Sequence, residues 1–505
     1  MAFKNWGKDF SASLVVFLVA LPLCMGIAIA SGLPPAKGLI TGVLGGIVVG
    51  TFAGSPLQVS GPAAGLAVVV FELVQNYGIS ALGPILMLAG LFQIIAGLLK
   101  LGQWFRAISP AVIHGMLAGI GLLIVLQQFH VMLDHKPSSS GPANFIGMFT
   151  AAARDILPLD GRGEEFALLL GLITIAVMML WQRYRPEKLR LLPGALLGIL
   201  AATTVAQVFH VPVKRVDVPS NLLTVIDLPS MAFFGNVPWG VILSSAFVMA
   251  FIASAETLLS AAAVDRMQSH VKTNYDRELT AQGVGNMLCG LAGALPMTGV
   301  IVRSSANVQA GAETRRSAIL HGVWILLFIT LLPGLLRMVP ISSLAGVLVY
   351  TGARLVSLEE IKKLGRFGRI PLLIYAATLL TIVAKDLLTG VLVGVGLSVI
   401  QLLWRATHVQ VYLEDNEQGG GKRLILAGAA TFLRIPRISA ALEQVPAGSV
   451  VHVDMSRLHH VDHACLELLE RWIEDHRAQG TLIALEWEHL EQRYWQQSPQ
   501  QLEEV

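Results

Sequence analysis

Charged residues in this chain do not alternate with apolar ones; they collect between apolar runs about as long as a bilayer is thick, and that segregation decides the fold class. Ser13 to Ala30, Phe166 to Trp181 with its flanks, and Leu387 to Trp404 each reach the scale of the roughly 18 apolar residues that mark a spanning helix. Of 505 residues, 54% are hydrophobic and 14% charged, where a soluble chain carries about 25% charge. The pattern implies a polytopic α-helical membrane protein.

Lys4 and Lys8 ahead of an apolar run ending in Ala28-Ile29-Ala30 imitate a secretory leader with a small-residue cleavage site. The run is longer than the 7–15 residues of a leader core and contains Pro22, so it reads as a first retained span. Only Cys24, Cys289 and Cys465 are present, which implies no disulfide framework.

Punctuation by Gly, Pro and charge divides the chain into fourteen segments: 11–31, 36–53, 62–76, 82–100, 110–130, 165–184, 193–210, 239–264, 278–295, 303–312, 317–338, 343–357, 370–385 and 387–407. The third and tenth are too short to cross alone. They lie seven segments apart, each behind a short β-branched piece, Gln58-Val59-Ser60 and Val300-Ile301-Val302. Interrupted segments at matching places in two halves point to a transport site. Seven segments per half is odd, so a second half that repeats the first enters the membrane from the opposite side, giving repeats of about 11–212 and 237–407. With both termini in the cytoplasm, inner loops hold roughly sixteen Lys/Arg against about eight outside, among them Arg183, Arg185, Lys188, Arg190, Arg315, Arg316, Lys362, Lys363, Arg366 and Arg369.

After His408 the pattern changes. Short runs at Val409 to Leu413, Arg423 to Leu426, Val450 to Met455 and Leu482 to Glu486 alternate with amphipathic stretches near 436–445 and 463–479, and Gly419-Gly420-Gly421 is a loop. This predicts a small α/β unit with a mostly parallel sheet over 408–495, followed by a disordered tail at 496–505. Residues up to His408 carry 28 basic and 18 acidic groups, the remainder 8 and 15, so +10 stands against −7 behind a whole-chain charge of +3.

Ser60-Gly61-Pro62-Ala63-Ala64-Gly65 reads as a helix start, with a hydroxyl in the capping position and a proline suited to the first turn. Free amides and the helix dipole make such a start a weak anion site. Arg303-Ser304-Ser305 offers a second start and a fixed positive charge. Two such starts meeting from opposite sides would cradle an anion; the alternative is that the small residues pack helices and Arg303 reaches an interface. Glu256 lies mid-segment with Thr257 and Ser260 within one turn. A charge at membrane depth costs about 2.5–3.5 kcal/mol on insertion scales, so it lines an ion path or is paired. Glu256 therefore reads either as a proton or sodium coupling group or as the salt-bridge partner of Arg303. His459, His460, Asp462 and His463 lack a second cluster at metal-site spacing and read as a solvated loop, so no metal is expected. No phosphate loop, dinucleotide fingerprint or nucleophile elbow occurs, which excludes enzymatic chemistry of those kinds.

These residues resemble the sulfate permease family. Leu21-Pro22-Leu23-Cys24-Met25-Gly26 with Ser31-Gly32-Leu33-Pro34-Pro35 is similar to its first helix, Val59-Ser60-Gly61-Pro62 to its third, Glu256-Thr257-Leu258-Leu259-Ser260 to its eighth and Val302-Arg303-Ser304-Ser305 to its tenth, and the acidic tail resembles a STAS domain. The resemblance implies a seven-plus-seven inverted repeat with two half-helices, divided into a moving core (helices 1–4 and 8–11) and a gate (5–7 and 12–14), usually dimeric and elevator-like. It places substrate contacts at Leu23, Cys24 and Met25, at Ser60, Gly61, Pro62, Ala63 and Ala64, and at Val302, Arg303 and Ser304, with Glu256, Thr257 and Ser260 coupling the cation. Sodium-coupled bicarbonate members carry an Asp with a Thr four residues on, where this chain has Glu256 and Ser260, and the longer carboxylate also suits a proton. The serine that follows the aspartate in phosphorylated STAS relatives has no counterpart in Val461-Asp462-His463-Ala464. The function so implied is a secondary carrier of a small inorganic anion, bicarbonate first, in a bacterial inner membrane, with Na+ or H+ as coupling ion, no cofactor, a homodimeric state and a carbonic anhydrase as partner. A sulfate or C4-dicarboxylate symporter, an uncoupled channel-like protein and a receptor scaffold are the rival readings.

Overall fold

Helix after helix begins where a proline leaves one orphan amide fewer in the first turn or a short polar side chain accepts from one. In a computed structural model that describes residues 6–103, 109–138, 140–155, 163–189, 192–219, 222–228, 238–406, 409–415, 421–446 and 448–485, each of the fourteen expected segments is a helix. They are α1 (Trp6–Ala30), α2 (Pro35–Leu44, continued by a π turn at Gly45–Val49 to Phe52), α3 (Ala64–Tyr77), α4 (Leu82–Leu98), α5 (Pro110–Met132), α6 (Gly163–Tyr184), α7 (Gly194–Val208), α8 (Trp239–Met267), α9 (Tyr275–Leu291), α10 (Ile301–Gln309), α11 (Arg316–Leu331), α12 (Ile341–Leu355), α13 (Arg369–Ala384) and α14 (Leu387–Ala406). Pro35 and Pro110 occupy first turns, and Asn274 caps α9 by accepting from the Arg277 amide at 3.0 Å. Eight helical stretches among the described residues are long and apolar enough to cross a membrane.

The inverted repeat is written in the glycine contacts. A Cβ added at Gly90 of α4 would strike the backbone of Gly283 in α9 at 2.5 Å, and one at Gly46 of α2 would strike Gly322 of α11 at 2.6 Å. Shifting each helix of the first pair by seven into the other repeat turns α4 into α11 and α9 into α2. Gly171 of α6 likewise lies against Ser342 and Gly346 of α12, and its mates are Gly115 and Gly119 of α5 against Thr378 and Ile382 of α13. Glycine at these crossings lets two backbones touch, the usual device where lipid removes any hydrophobic drive between helices. Two helices that the hydropathy pattern does not foresee, Gly141–Asp155 and Leu358–Arg366, also fall at matching places, after α5 and after α12.

The short extended pieces lie elsewhere than expected. β1 is Ser60–Pro62 and β2 is Met297–Gly299, whereas Val300-Ile301-Val302 is a helix start, since α10 begins at Ile301. β-branched composition is overridden there by the antiparallel register Ser60↔Gly299, Gly61↔Thr298, Pro62↔Met297, which ends before Val300.

The chain divides into two compact units, Met1–Val395 and Gly396–Val505. The second unit contains a four-stranded sheet in the order β3 (Val409–Asp415), β4 (Lys422–Ala430), β5 (Val450–Val461), β6 (Leu482–Leu485). β3 pairs antiparallel with β4, and the other two ladders are parallel. α15 (Ile435–Leu442) and α16 (His463–Ala478) supply the crossovers, burying Ile438, Leu442, Cys465 and Leu469 with Leu424, Leu426, Val451 and Val453. Glu486, Gly419, Gly420 and the tail at 496–505 lie outside the described residues; Gly421 enters β4 with φ of +131°.

Candidate functional site

Each short strand delivers the chain into a helix start. α3 follows Ala63 and α10 follows Val300, and neither start receives a side-chain cap, so their first amides are unanswered by the protein's own hydroxyls. Because β1 and β2 run antiparallel, the two helices leave the shared ladder in opposite directions with their positive ends together.

This geometry corrects the expected capping roles. Ser60 is not a cap but part of β1, where its hydroxyl accepts from Gln282 Nε2 at 2.5 Å. Pro62 likewise lies in the strand and not in the first turn of α3. Ser304 joins the repeats, donating to Val300 O at 2.7 Å and accepting from the Val59 amide at 2.9 Å.

A cavity of about 1250 Å³ opens beside these helix starts. One set of lining residues is Leu23 of α1, Ala63, Ala64 and Gly65 at α3, Glu256 of α8, and Thr298 through Val302. The other comes from Ile113, Leu117 and Ile120 of α5 with Leu348 and Thr351 of α12. Four expected contacts therefore line the space: Leu23, Ala63, Ala64 and Val302. Cys24, Met25, Ser60, Gly61, Pro62, Arg303 and Ser304 stand behind its wall, and Gly65, Thr298 and Gly299 join it. Thr298 and Gly299 lie in the Pro-Met-Thr-Gly break, which marks the interruption without saying which side chain faces the space.

Arg303 is fully buried, and among the described residues no oxygen or nitrogen acceptor answers its three guanidinium nitrogens, the Cys24 thiol being the polar group beside them. It lies against Gly61, where an added Cβ would stand 1.9 Å from a guanidinium nitrogen. The expected salt bridge to Glu256 is not formed: among the described residues no ion pair joins them, because the guanidinium lies beyond β1 from the cavity. Glu256 instead accepts from the Thr298 hydroxyl at 3.3 Å. Thr257 braces β2, its hydroxyl accepting from the Gly299 amide at 3.1 Å and its carbonyl from Gln58 Nε2 at 3.0 Å. The Ser260 hydroxyl is buried, has no hydrogen-bond partner and does not line the cavity.

The mouth of the cavity is polar. His114 and Glu360 approach within 3.5 Å on one side, and on the other Asp265 accepts from Thr273 and Tyr275, both at 2.7 Å. Arg266 and Lys272 also line it.

In the second unit, the expected solvated loop is the end of β5 and a helix start. Asp462 caps α16, accepting from the Cys465 amide at 2.9 Å and from the Phe432 amide. Burial alone would raise its carboxyl, but those amides outweigh it and hold it below the ordinary aspartate range. His460 is exposed at the strand end and His463 exposed in the first turn, while the side chain of His459 lies outside the described residues. Among the described residues no cluster of three or more His, Cys, Asp or Glu is arranged to hold a metal, and all three cysteines are free and buried.

Residues 7–378 match the sequence profile of the Sulfate permease family. Bacillus subtilis YvdB is 28% identical over 96% of this chain and 92% of its own length, and the bicarbonate transporter BicA of Picosynechococcus is 26% identical over 81% of this chain and 72% of its own. The solved transmembrane domain of a cyanobacterial BicA superposes with a TM-score of 0.68 at 24% identity, covering 78% of this chain and 99% of that one. SLC26A9 superposes with a TM-score of 0.75 at 16% identity, over 96% of this chain and 85% of that one. With paired half-helices, glycine crossings repeated in inverse order and an α/β tail, the chain belongs to the sulfate permease family.

Proposed function

We propose that this member of a family of anion transporters carries bicarbonate, or another small inorganic anion, together with sodium or a proton across a bacterial inner membrane. The observation that carries the reading is the pair of uncapped helix starts joined by the β1–β2 ladder, with the Glu256 carboxyl in the same cavity. Amide ends and a dipole hold a small anion without a permanent neutralising bond, so it can be released. Arg303 adds a positive field from behind Gly61. Glu256 is the coupling group, with Thr298 as its hydroxyl neighbour. Relatives named for bicarbonate and for sulfate both occur, BicA and YvdB among them, so the substrate is ranked by competition.

In this reading residues 1–407 form the transport domain and 408–495 the cytoplasmic STAS-like domain of a homodimer, and a carbonic anhydrase delivers or consumes the substrate. Both termini are cytoplasmic, which makes the mouth bearing His114 and Glu360 an inward opening. Transport is elevator-like, the core sliding against the gate along the seam where the cavity lies.

Proteoliposomes with sodium and proton gradients imposed separately test the assignment. Uptake of radiolabelled bicarbonate is expected to follow one of the two gradients, and Glu256→Gln to abolish that dependence. Unchanged gradient-driven uptake by the variant removes Glu256 from the role. Competition by sulfate, C4-dicarboxylates and chloride ranks the substrate, and a unitary conductance without gradient coupling identifies a channel.

A further inference from the structure

Gly65 is the second residue of α3, and its missing side chain is replaced by a carboxylate from another helix. A Cβ built there would stand 1.6 Å from Glu256 Oε1 and 2.7 Å from its carboxyl carbon, with Ile120 Cδ1 at 3.2 Å. The other carboxyl oxygen accepts from the Thr298 hydroxyl. The acid therefore reaches across from α8 to the amide end of α3, which no side chain of its own caps. That end is also where the transported anion is expected to bind.

We propose that Gly65 is a positioning residue for coupling: the space left by its absent Cβ seats the Glu256 carboxylate on the amide end of α3, so that the charged carboxylate and the transported anion compete for the same amides. The inference rests on Glu256 being the coupling group. A helix end favours one negative charge and does not hold two equally well. Neutralising the carboxylate, by a proton or by a bound sodium ion, ends the competition and raises anion affinity, and by linkage the bound anion raises cation affinity. Among the described residues no other ionisable group lines the space between the carboxylate and the start of α3. The first two turns of α3 contain none, Arg303 lies behind β1, and His114, Asp265, Arg266, Lys272, Tyr275 and Glu360 belong to the mouth.

Gly65→Ala tests this directly, because the atom it displaces is the end of a flexible side chain and not a backbone. Initial uptake of radiolabelled bicarbonate, with sulfate in parallel, is measured at low and saturating coupling cation. The native chain is expected to lower its KM for the anion at least fivefold as the cation saturates. In Gly65→Ala the KM at low cation should already be low and change less than twofold. Glu256→Asp withdraws the carboxylate by one methylene without touching α3, and should reproduce this result even where the alanine variant fails to elute as folded protein. The double variant Gly65→Ala with Glu256→Gln should match Glu256→Gln alone. Native-like cation dependence in Gly65→Ala or Glu256→Asp, or additive losses in the double variant, overturns the inference. If Glu256→Gln itself keeps its cation dependence, the underlying assignment of Glu256 fails instead.

Discussion

Arg303 holds its charge where, among the described residues, no carboxylate answers it and the Cys24 thiol is its polar neighbour. It is the largest of the fully buried side chains, its guanidinium nitrogens lack oxygen or nitrogen acceptors, and Gly61 is bare on the side it faces. A buried unpaired charge weakens the fold, and natural chains retain such a group where function uses it. One residue layer, roughly 8 Å, at an effective dielectric constant of about 20 leaves about 2 kcal/mol of attraction for an anion in the cavity. Arg303→Met keeps the volume and removes the charge. It is expected to weaken anion binding about 30-fold while making the membrane domain more stable by about 1–4 kcal/mol. Competition binding and thermal melting of detergent-solubilised protein read the two effects, and unchanged affinity rules out the long-range field. Residue types at this site were legible in the sequence, but their directions were not. Ser60 and Ser304 carry hydroxyls beside helix starts, as a cradle would, yet both are spent on bracing β1 and β2. Direction depends on the register of a three-residue ladder between segments more than 230 residues apart, and no local pattern encodes that register.

Helices, by contrast, declare themselves. A segment that must satisfy its own backbone in lipid has to be apolar over its whole length, so hydropathy and proline punctuation located α1 through α14 to within about five residues, except that the expected segment 317–338 breaks at Leu332 into α11 and a short helix Pro333–Arg337. The tail was legible for another reason, since its parallel ladders need crossover helices, and β5 alternates Val451, Val453 and Met455 with His452, Asp454 and Ser456 as a strand with one apolar face does. Hydropathy missed Gly141–Asp155 and Leu358–Arg366, because helices that need not span carry no long apolar run. It also could not say which glycines hold helices together. A Cβ at Gly46, inside the π turn, would stand 2.6 Å from Gly322 Cα and 2.8 Å from its nitrogen, and backbone cannot step aside as a side chain can. Gly46→Ala is expected to lower stability by about 1–3 kcal/mol or more. Gly240→Ala in α8, with nothing within 4 Å of its Cβ, should be neutral or slightly stabilising, since alanine favours a helix by about 1 kcal/mol over glycine. Thermal melting of the two variants side by side checks the contrast, and equal melting temperatures would mean that the α2–α11 crossing yields easily.

At the scale of the whole molecule, transport by a core sliding past a gate requires that contacts across their seam break in every cycle. The α1–α12 contact is one such place: a Cβ at Gly26 would lie 3.3 Å from both Cγ and Cδ1 of Leu348. Two cysteines there would bring their Cβ atoms within about 4–5 Å, close enough for a disulfide. The native thiols Cys24, Cys289 and Cys465 are buried and free, so the single variants Gly26→Cys and Leu348→Cys report any background oxidation. In the paired variant, oxidation is expected to abolish anion uptake and reduction to restore it, while the single variants respond to neither. A fixed seam blocks a carrier completely but leaves the cavity itself in place, so a protein conducting through that cavity without relative motion would keep its flux when cross-linked. Persistent uptake in fully oxidised protein, with cross-linking verified by mass spectrometry of the joined peptides, would therefore reject the moving-core mechanism while leaving the helix-start binding site standing.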